Sequence, residues 1–298
     1  MPLRRLLFSL LLLTSALSAR ADALGLSTLE KISRTGTINL GHRESSVPFS
    51  YYDNKRQVVG YSHDLMLAVV ERIRVALRLP ALTVKLVPVT SQNRIPLVQN
   101  GTVDLECGST THNRERERQV AFSVSIFHTS SRLLTRRDSG ITDLSDLRNR
   151  RVAVTAGTTS ERSLLLHSEA TGQRFDILTV KDHGDGFNRL QEGRADAFLM
   201  DEAMLYGLRA KADRPEDWRV VGQPMAPEVY ACMLRRNDLA FKAVVDQSLV
   251  QLMQSGEALK VYRRWFQSPI PPKGLNLNWP APEVLLELYR APNDQPLG

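Results

Sequence analysis

Only two of the 298 residues are cysteine and six are histidine, and neither set has the spacing of a zinc site. The chain has no nucleophile elbow, Walker loop or dinucleotide fingerprint, which removes the most recognisable routes to acyl transfer, nucleotide hydrolysis and hydride transfer. His183-Gly184-Asp185-Gly186 begins like a calcium turn but lacks the remaining carboxylates. No metal and no cofactor are therefore expected. Beyond the N-terminus no apolar run reaches the length of a membrane span, and there is no short-period repeat or low-complexity tract. Charge of one sign is also scarce. The formal excess of +7 is mild and spread out, which does not imply nucleic acid but suits small anions.

The N-terminus carries the most distinctive composition. Arg4 and Arg5 form a charged start, Leu6 to Leu17 an apolar core, and Ala19-Arg20-Ala21 a small-x-small cleavage site. Residues 1–21 read as a secretory signal peptide, with Asp22 the first mature residue and a soluble protein of the periplasm as the product. No cysteine follows the cleavage site, so lipid anchoring has no acceptor there. In an exported chain the even cysteine count favours a disulfide between Cys107 and Cys232, whereas in a reducing compartment both would be buried thiols.

Hydrophobic periodicity then alternates between strand and helix. A short helix from Thr28 to Arg34 closes at Gly36, and a strand from Thr37 ends in Gly41-His42-Arg43-Glu44. A hairpin turns at Asp53-Asn54, and a long amphipathic helix is capped by Ser62. Thr83 to Val89 is a strand leading to Ser91, the expected cap of a further helix. Two long extended stretches, Phe122 to Leu134 and Val229 to Leu234, flank a strand-helix-strand unit, and such alternation implies a mainly parallel sheet covered by helices. The expected architecture is α/β, with two lobes joined by two strands. Residues 22–130 and 230–298 form a discontinuous first lobe and residues 131–229 the second.

Two turns rich in hydroxyls, Ser109-Thr110-Thr111 and Thr158-Thr159-Ser160, follow strands and point toward the cleft between the lobes. Arg94, Arg114 and Arg116 lie near the first, and a strand running into such a turn suits a small anion. The Arg114 to Arg118 run as a whole reads as solvated surface, as charge runs do. The groups available suit an amino acid carrying a second carboxylate: guanidinium for each carboxylate, carboxylate for the ammonium, hydroxyls and amides for the rest.

The segments GHRESSVPFSYYDN, TSQNRIPLVQNGTVDLECGSTT, AGTTSE, KDHGD, FLMDEA, YACMLRR and SPIPPKGLNLN resemble, in order and over the whole mature chain, the glutamate/aspartate-binding members of the family 3 extracellular solute-binding proteins of ABC transporters. The resemblance implies a type II periplasmic-binding-protein fold, a hinged cleft closing on L-glutamate or L-aspartate, and delivery to an inner-membrane ABC permease. Matched position by position, Arg116 clamps the ligand α-carboxylate, helped by Thr111 and Thr159. Asp201 takes the α-ammonium with Ser109 alongside. Arg43, Ser91, Arg94 and His183 meet the side-chain carboxylate. A monomer without nucleic-acid contacts is implied.

Each residue also has a plainer reading. Arg94 suits a solvated helix position, Asp201 a helix cap before Glu202, His183 a loop that fixes a turn, and Thr158 and Thr159 the cap of the following helix. Trp218, Trp265 and Trp279 read as packing residues. Two rival functions use the same architecture. A dehydratase-like enzyme needs a free carboxylate or histidine at the reacting carbon, and a sensory domain is normally fused to a membrane span.

Overall fold

The computed structural model describes residues 27–297, so the leader expected at residues 1–21 lies outside the described residues. Ser27 opens α1 (Thr28–Thr35) through a capping box with Glu30, and Gly36 closes it at φ 60°. After β1 (Thr37–His42), a small sheet forms from β2 (Ser45–Ser46), β3 (Ser50–Tyr52) and β4 (Val58–Val59), where Tyr51 pairs with Val59 across the expected hairpin. α2 (Tyr61–Ala76) starts earlier than a Ser62 cap would place it. Gly60 holds the cap position at φ 138°, where a Cβ would lie 2.2 Å from the Phe49 carbonyl oxygen. Ser62 instead donates its hydroxyl to the Gly108 carbonyl at 2.7 Å.

β5 (Thr83–Pro88) leads to α3 (Arg94–Gln99), β6 (Leu105–Glu106) and α4 (Arg114–Glu117). Ser91 does not cap α3. The Thr90 amide donates to Asn93 Oδ1 at 2.7 Å and the Asn93 amide to Thr90 Oγ1 at 3.3 Å, and this reciprocal turn leaves the Ser91 hydroxyl free to face elsewhere. The chain then crosses in β7 (Ala121–Arg136) to a second unit. That unit contains β8 (Arg151–Thr155), α5 (Thr159–Thr171), β9 (Asp176–Val180), α6 (His183–Gln191), β10 (Ala197–Asp201), α7 (Glu202–Lys211) and β11 (Trp218–Val221). It returns through β12 (Pro227–Leu234) to α8 (Leu239–Gln254), α9 (Glu257–Phe266) and α10 (Glu283–Arg290).

The strands run β5-β1-β6-β12-β7-β10-β8-β9, with β11 also paired to β7. β7 is shared. Its residues up to Ser130 pair antiparallel with β12, and from Ser131 onward they pair with β10 and β11. Parallel pairing is confined to β5, β1 and β6 in one half and β10, β8 and β9 in the other. The antiparallel crossing strands therefore join two parallel sets, and the carboxyl ends of β1, β6, β8 and β10 bring their following turns toward the junction.

The first half buries an aromatic centre of Phe49, Tyr61, Phe127, Tyr230 and Phe266, largely in edge-to-face contact, beneath α2, α8 and α9. The second packs Leu133, Val152, Val154, Leu164 and Leu199. Cys107 and Cys232, 125 positions apart, are joined in a disulfide, tying the end of β6 to β12. Trp218 and Trp265 are buried, and Trp279 packs edge-on against Tyr206. No helix among the described residues is long and apolar enough to cross a membrane.

Candidate ligand-binding site

Three arginines are taken out of water at the junction. Arg43, just past β1, is 1% exposed, Arg94 at the start of α3 is 2% exposed, and Arg116 in α4 is 8% exposed. Arg114, Glu115 and Arg118 around the last remain exposed. Four-residue α4 is capped by Asn113, which accepts from the Arg116 amide, and this turn directs one guanidinium inward. It donates to the Thr111 carbonyl at 2.8 Å and, from across the junction, to the Gly157 carbonyl at 3.2 Å. Arg94 donates to the Ser109 carbonyl at 3.3 Å and to the Thr110 hydroxyl, which passes its own hydrogen to Glu106 Oε2 at 2.8 Å. Neither terminal nitrogen of Arg43 has a hydrogen-bond partner among the described residues.

Crowding of like charges in a dry space is costly. Burial first, and Arg94 second, push the Arg43 guanidinium down to about 10 and that of Arg116 down to about 9. Both stay charged at neutral pH. His183, the first residue of α6, is 1% exposed, and its Nδ1 lies 2.9 Å from the Ser46 hydroxyl. Burial, then Arg43 and Arg94, hold it well below its usual value, so the ring is neutral. Its Nε2, the Arg94 Nε, the Ser91 and Ser109 hydroxyls and Glu106 Oε1 are likewise buried without a partner among the described residues. Buried polar atoms are normally satisfied, so such a cluster marks where other chemistry is received.

Facing the arginines are three carboxyl groups. Asp201 ends β10 and stands at the cap position of α7, yet its side chain makes no capping bond. It accepts from the Ser131 hydroxyl at 2.9 Å, from Ser160 at 3.4 Å and from the Tyr230 phenol. Burial raises its pKa against the pull of those donors. Glu228, at the start of β12, accepts from the hydroxyls of Thr111 and Thr159, which themselves lie 3.3 Å apart. Burial, then Asp201, pushes it up to about 7. Glu106 is fully buried, and glycine at 41 and 108 makes room for it. A Cβ at Gly41 would lie 2.9 Å from its Cγ, and one at Gly108 would lie 2.4 Å from its Oε1.

All nine residues expected to bind ligand are thus accounted for. Arg43, Arg94, Arg116 and His183 are linked by their mutual electrostatic effects, Thr111 and Thr159 meet at Glu228, Asp201 lies within reach of Arg116's charge, Ser109 is buried with its carbonyl on Arg94, and Ser91 is buried. The plain readings fare unevenly. Arg94 is not solvated, Asp201 is not a side-chain cap, and His183 is helical rather than in a loop. Thr158 does cap α5, accepting from the Glu161 amide at 3.1 Å. The HGDG segment starts α6 under an Asp182 cap, and among the described residues no cluster could hold a metal ion.

Glu106, Glu228 and Tyr230 escaped the reading of the sequence. The usable signal was a carboxylate and a phenol two residues apart in the otherwise apolar PEVYACML, and a carboxylate inside VDLEC.

Comparison with known proteins decides the family. The model for bacterial extracellular solute-binding proteins, family 3, matches residues 38–268. The chain belongs to that family. Membership makes it a solute-binding protein rather than an enzyme. It is 53% identical over 91% of its length to a glutamate/aspartate import solute-binding protein of Salmonella typhimurium, covering 90% of that protein. It is also 53% identical over 90% of its length to an L-glutamate/L-aspartate-binding protein of Pseudomonas aeruginosa, covering 89% of it. Among solved structures, an ancestral arginine-binding protein bound to arginine superposes with a TM-score of 0.69 at 25% identity, covering 78% of this chain and 98% of that one. A Streptococcus pneumoniae ABC uptake transporter substrate-binding protein with bound histidine gives 0.73 at 21% identity, covering 83% and 99%. The family's two-lobed α/β periplasmic-binding fold is the fold described above.

Proposed function

We propose that this solute-binding protein captures L-glutamate or L-aspartate in the cleft between two lobes, in the periplasm, and delivers it to an inner-membrane ABC permease. The observation that carries the reading is the convergence of three buried arginines, with Arg43's two terminal nitrogens unpartnered among the described residues. Arg116 is suited to the α-carboxylate and Asp201, with Ser109, to the α-ammonium. Arg43, Arg94, Ser91 and His183 are suited to the side-chain carboxylate. The neutral His183 ring pairs its Nδ1 with the Ser46 hydroxyl, and the tautomer with its hydrogen on Nε2 is the one that offers it to an anion. The relatives' names support the same solutes and import.

A division into lobes of 22–130 with 230–298, and 131–229, accords with the change of partner in β7 between Ser130 and Ser131. Contacts across the junction, from Arg116 to Gly157 and from the Gly184 amide to Ser45 Oγ at 3.0 Å, fit a closed arrangement.

Charge is the basis of selectivity. An amide in place of the side-chain carboxylate leaves two desolvated guanidinium groups short of a partner. A thermal-shift panel of common L-amino acids, their D-isomers and the amides tests this. L-glutamate and L-aspartate raise the melting temperature, and glutamine and asparagine do not. A panel led by a neutral or basic amino acid rejects the reading.

A further inference from the structure

Glu228 has no role in the site as proposed above, yet it holds two of that site's groups. Thr111, after β6, and Thr159, at the start of α5, come from opposite sides of the junction, and both direct their hydroxyl hydrogen to the same oxygen, Glu228 Oε2. A threonine hydroxyl has one hydrogen. While Glu228 accepts both, neither hydroxyl has a hydrogen left for a ligand carboxylate held at Arg116.

We propose that Glu228 is a proton-coupled gate on ligand binding: the ligand's α-carboxylate takes over the Thr111 and Thr159 hydroxyls, and Glu228 takes up one proton from solvent as this happens. This rests on the ligand orientation proposed above. The proton balance is simple. The Glu228 carboxylate becomes a carboxylic acid, the proton comes from buffer, and no covalent bond of ligand or protein is made or broken.

The charges around Glu228 favour this outcome. It faces Asp201 from β10, Arg116 from α4, Arg94 from α3 and Tyr230 on its own strand. Around the whole cleft, three arginines oppose three carboxyl groups. An acidic amino acid brings one net negative charge, and neutralising one carboxyl restores the match. Glu228 is the member placed to accept that proton, because it is half-buried and loses its two hydroxyl donors, whereas Asp201 keeps Ser131, Ser160 and Tyr230. In this closed geometry burial and Asp201 push its midpoint up to about 7, which makes the exchange accessible near neutral pH. The neutral His183 ring does not compete, being held well below its usual value.

The test is calorimetry of the full mature chain with L-glutamate and with L-aspartate, in phosphate and in Tris, whose ionisation heats differ. From a midpoint of about 7 in this closed geometry, uptake is about 0.5 proton per ligand at pH 7 and about 0.9 at pH 8, and the association constant falls toward about tenfold per pH unit above 7. Glu228→Gln keeps the side-chain shape and abolishes both the buffer-dependent heat and the pH slope between 6 and 8. The wild-type proton count stands even if that variant folds poorly. Binding with no buffer dependence, or uptake that persists in Glu228→Gln, overturns the coupling and leaves the binding reading intact. An absence of any binding heat with either amino acid removes both.

Discussion

Arg94 shows how a charge can be buried without an ion pair. Its guanidinium reaches Glu106 only through the Thr110 hydroxyl, and its Nε has no partner among the described residues. Removing it leaves the ligand's desolvated side-chain carboxylate short of a guanidinium partner, and breaking a buried charge pair in this way costs roughly 3 to 5 kcal/mol. Arg94→Ala should therefore weaken L-glutamate or L-aspartate binding by about 100-fold or more, at about 1.4 kcal/mol per decade. Calorimetry reads this directly, and a change under about threefold removes Arg94 from the site. The same scale explains what sequence reasoning missed. Glu106 and Glu228 look like ordinary strand acids, and only the glycines at 41 and 108, or hydroxyls from two distant turns, reveal that space and donors were reserved for them.

At the level of elements, the turns do the positioning. The Thr90–Asn93 turn, rather than a cap at Ser91, starts α3 with Arg94 facing inward. Thr158 caps α5, leaving the next residue, Thr159, to reach Glu228. Thr158→Ala should cost about 1 kcal/mol of stability, the usual loss for a helix cap, read as a lower urea midpoint. α7 also approaches the loop between β2 and β3 closely enough that a Cβ at Gly207 would lie 2.4 Å from the Val47 carbonyl oxygen. Backbone cannot give way as a side-chain tip can. Gly207→Ala should force the halves apart at a cost of about 1 to 3 kcal/mol, lowering ligand affinity by roughly fivefold to 150-fold. Unchanged affinity would mean that this contact is not needed for closure. The helices and strands themselves were largely legible, because periodicity is a local property. The starts of α2 and α3 were not, because Gly60 and Asn93 answer to close packing and a reciprocal turn rather than to a single capping residue.

The whole molecule is two parallel sets of strands joined by antiparallel crossing strands, with one disulfide spanning 125 positions beside the crossing. A loop of that length removes much denatured-state entropy, up to about 5 kcal/mol in the chain-entropy account. Reduction should lower the melting temperature of the ligand-free protein by several degrees, and an unchanged transition under reductant would contradict this. Closure belongs to this scale as well. Small-angle scattering should show a smaller radius of gyration with L-glutamate than without it, and no difference would mean that the lobes do not close on this solute.

The amino-acid sequence alone determined the family resemblance, the alternation of strand and helix and the hydroxyl-rich turns, and it favoured the pairing of the two cysteines that the structure shows. Each depends on neighbours in the chain or on composition. What only the tertiary structure decided is which charges are desolvated: Arg116 but not Arg114 or Arg118, Asp201 as an acceptor rather than a cap, and Glu228 between two threonines. A charge can be buried only where partners from remote segments arrive to meet it, and local sequence carries no record of that meeting.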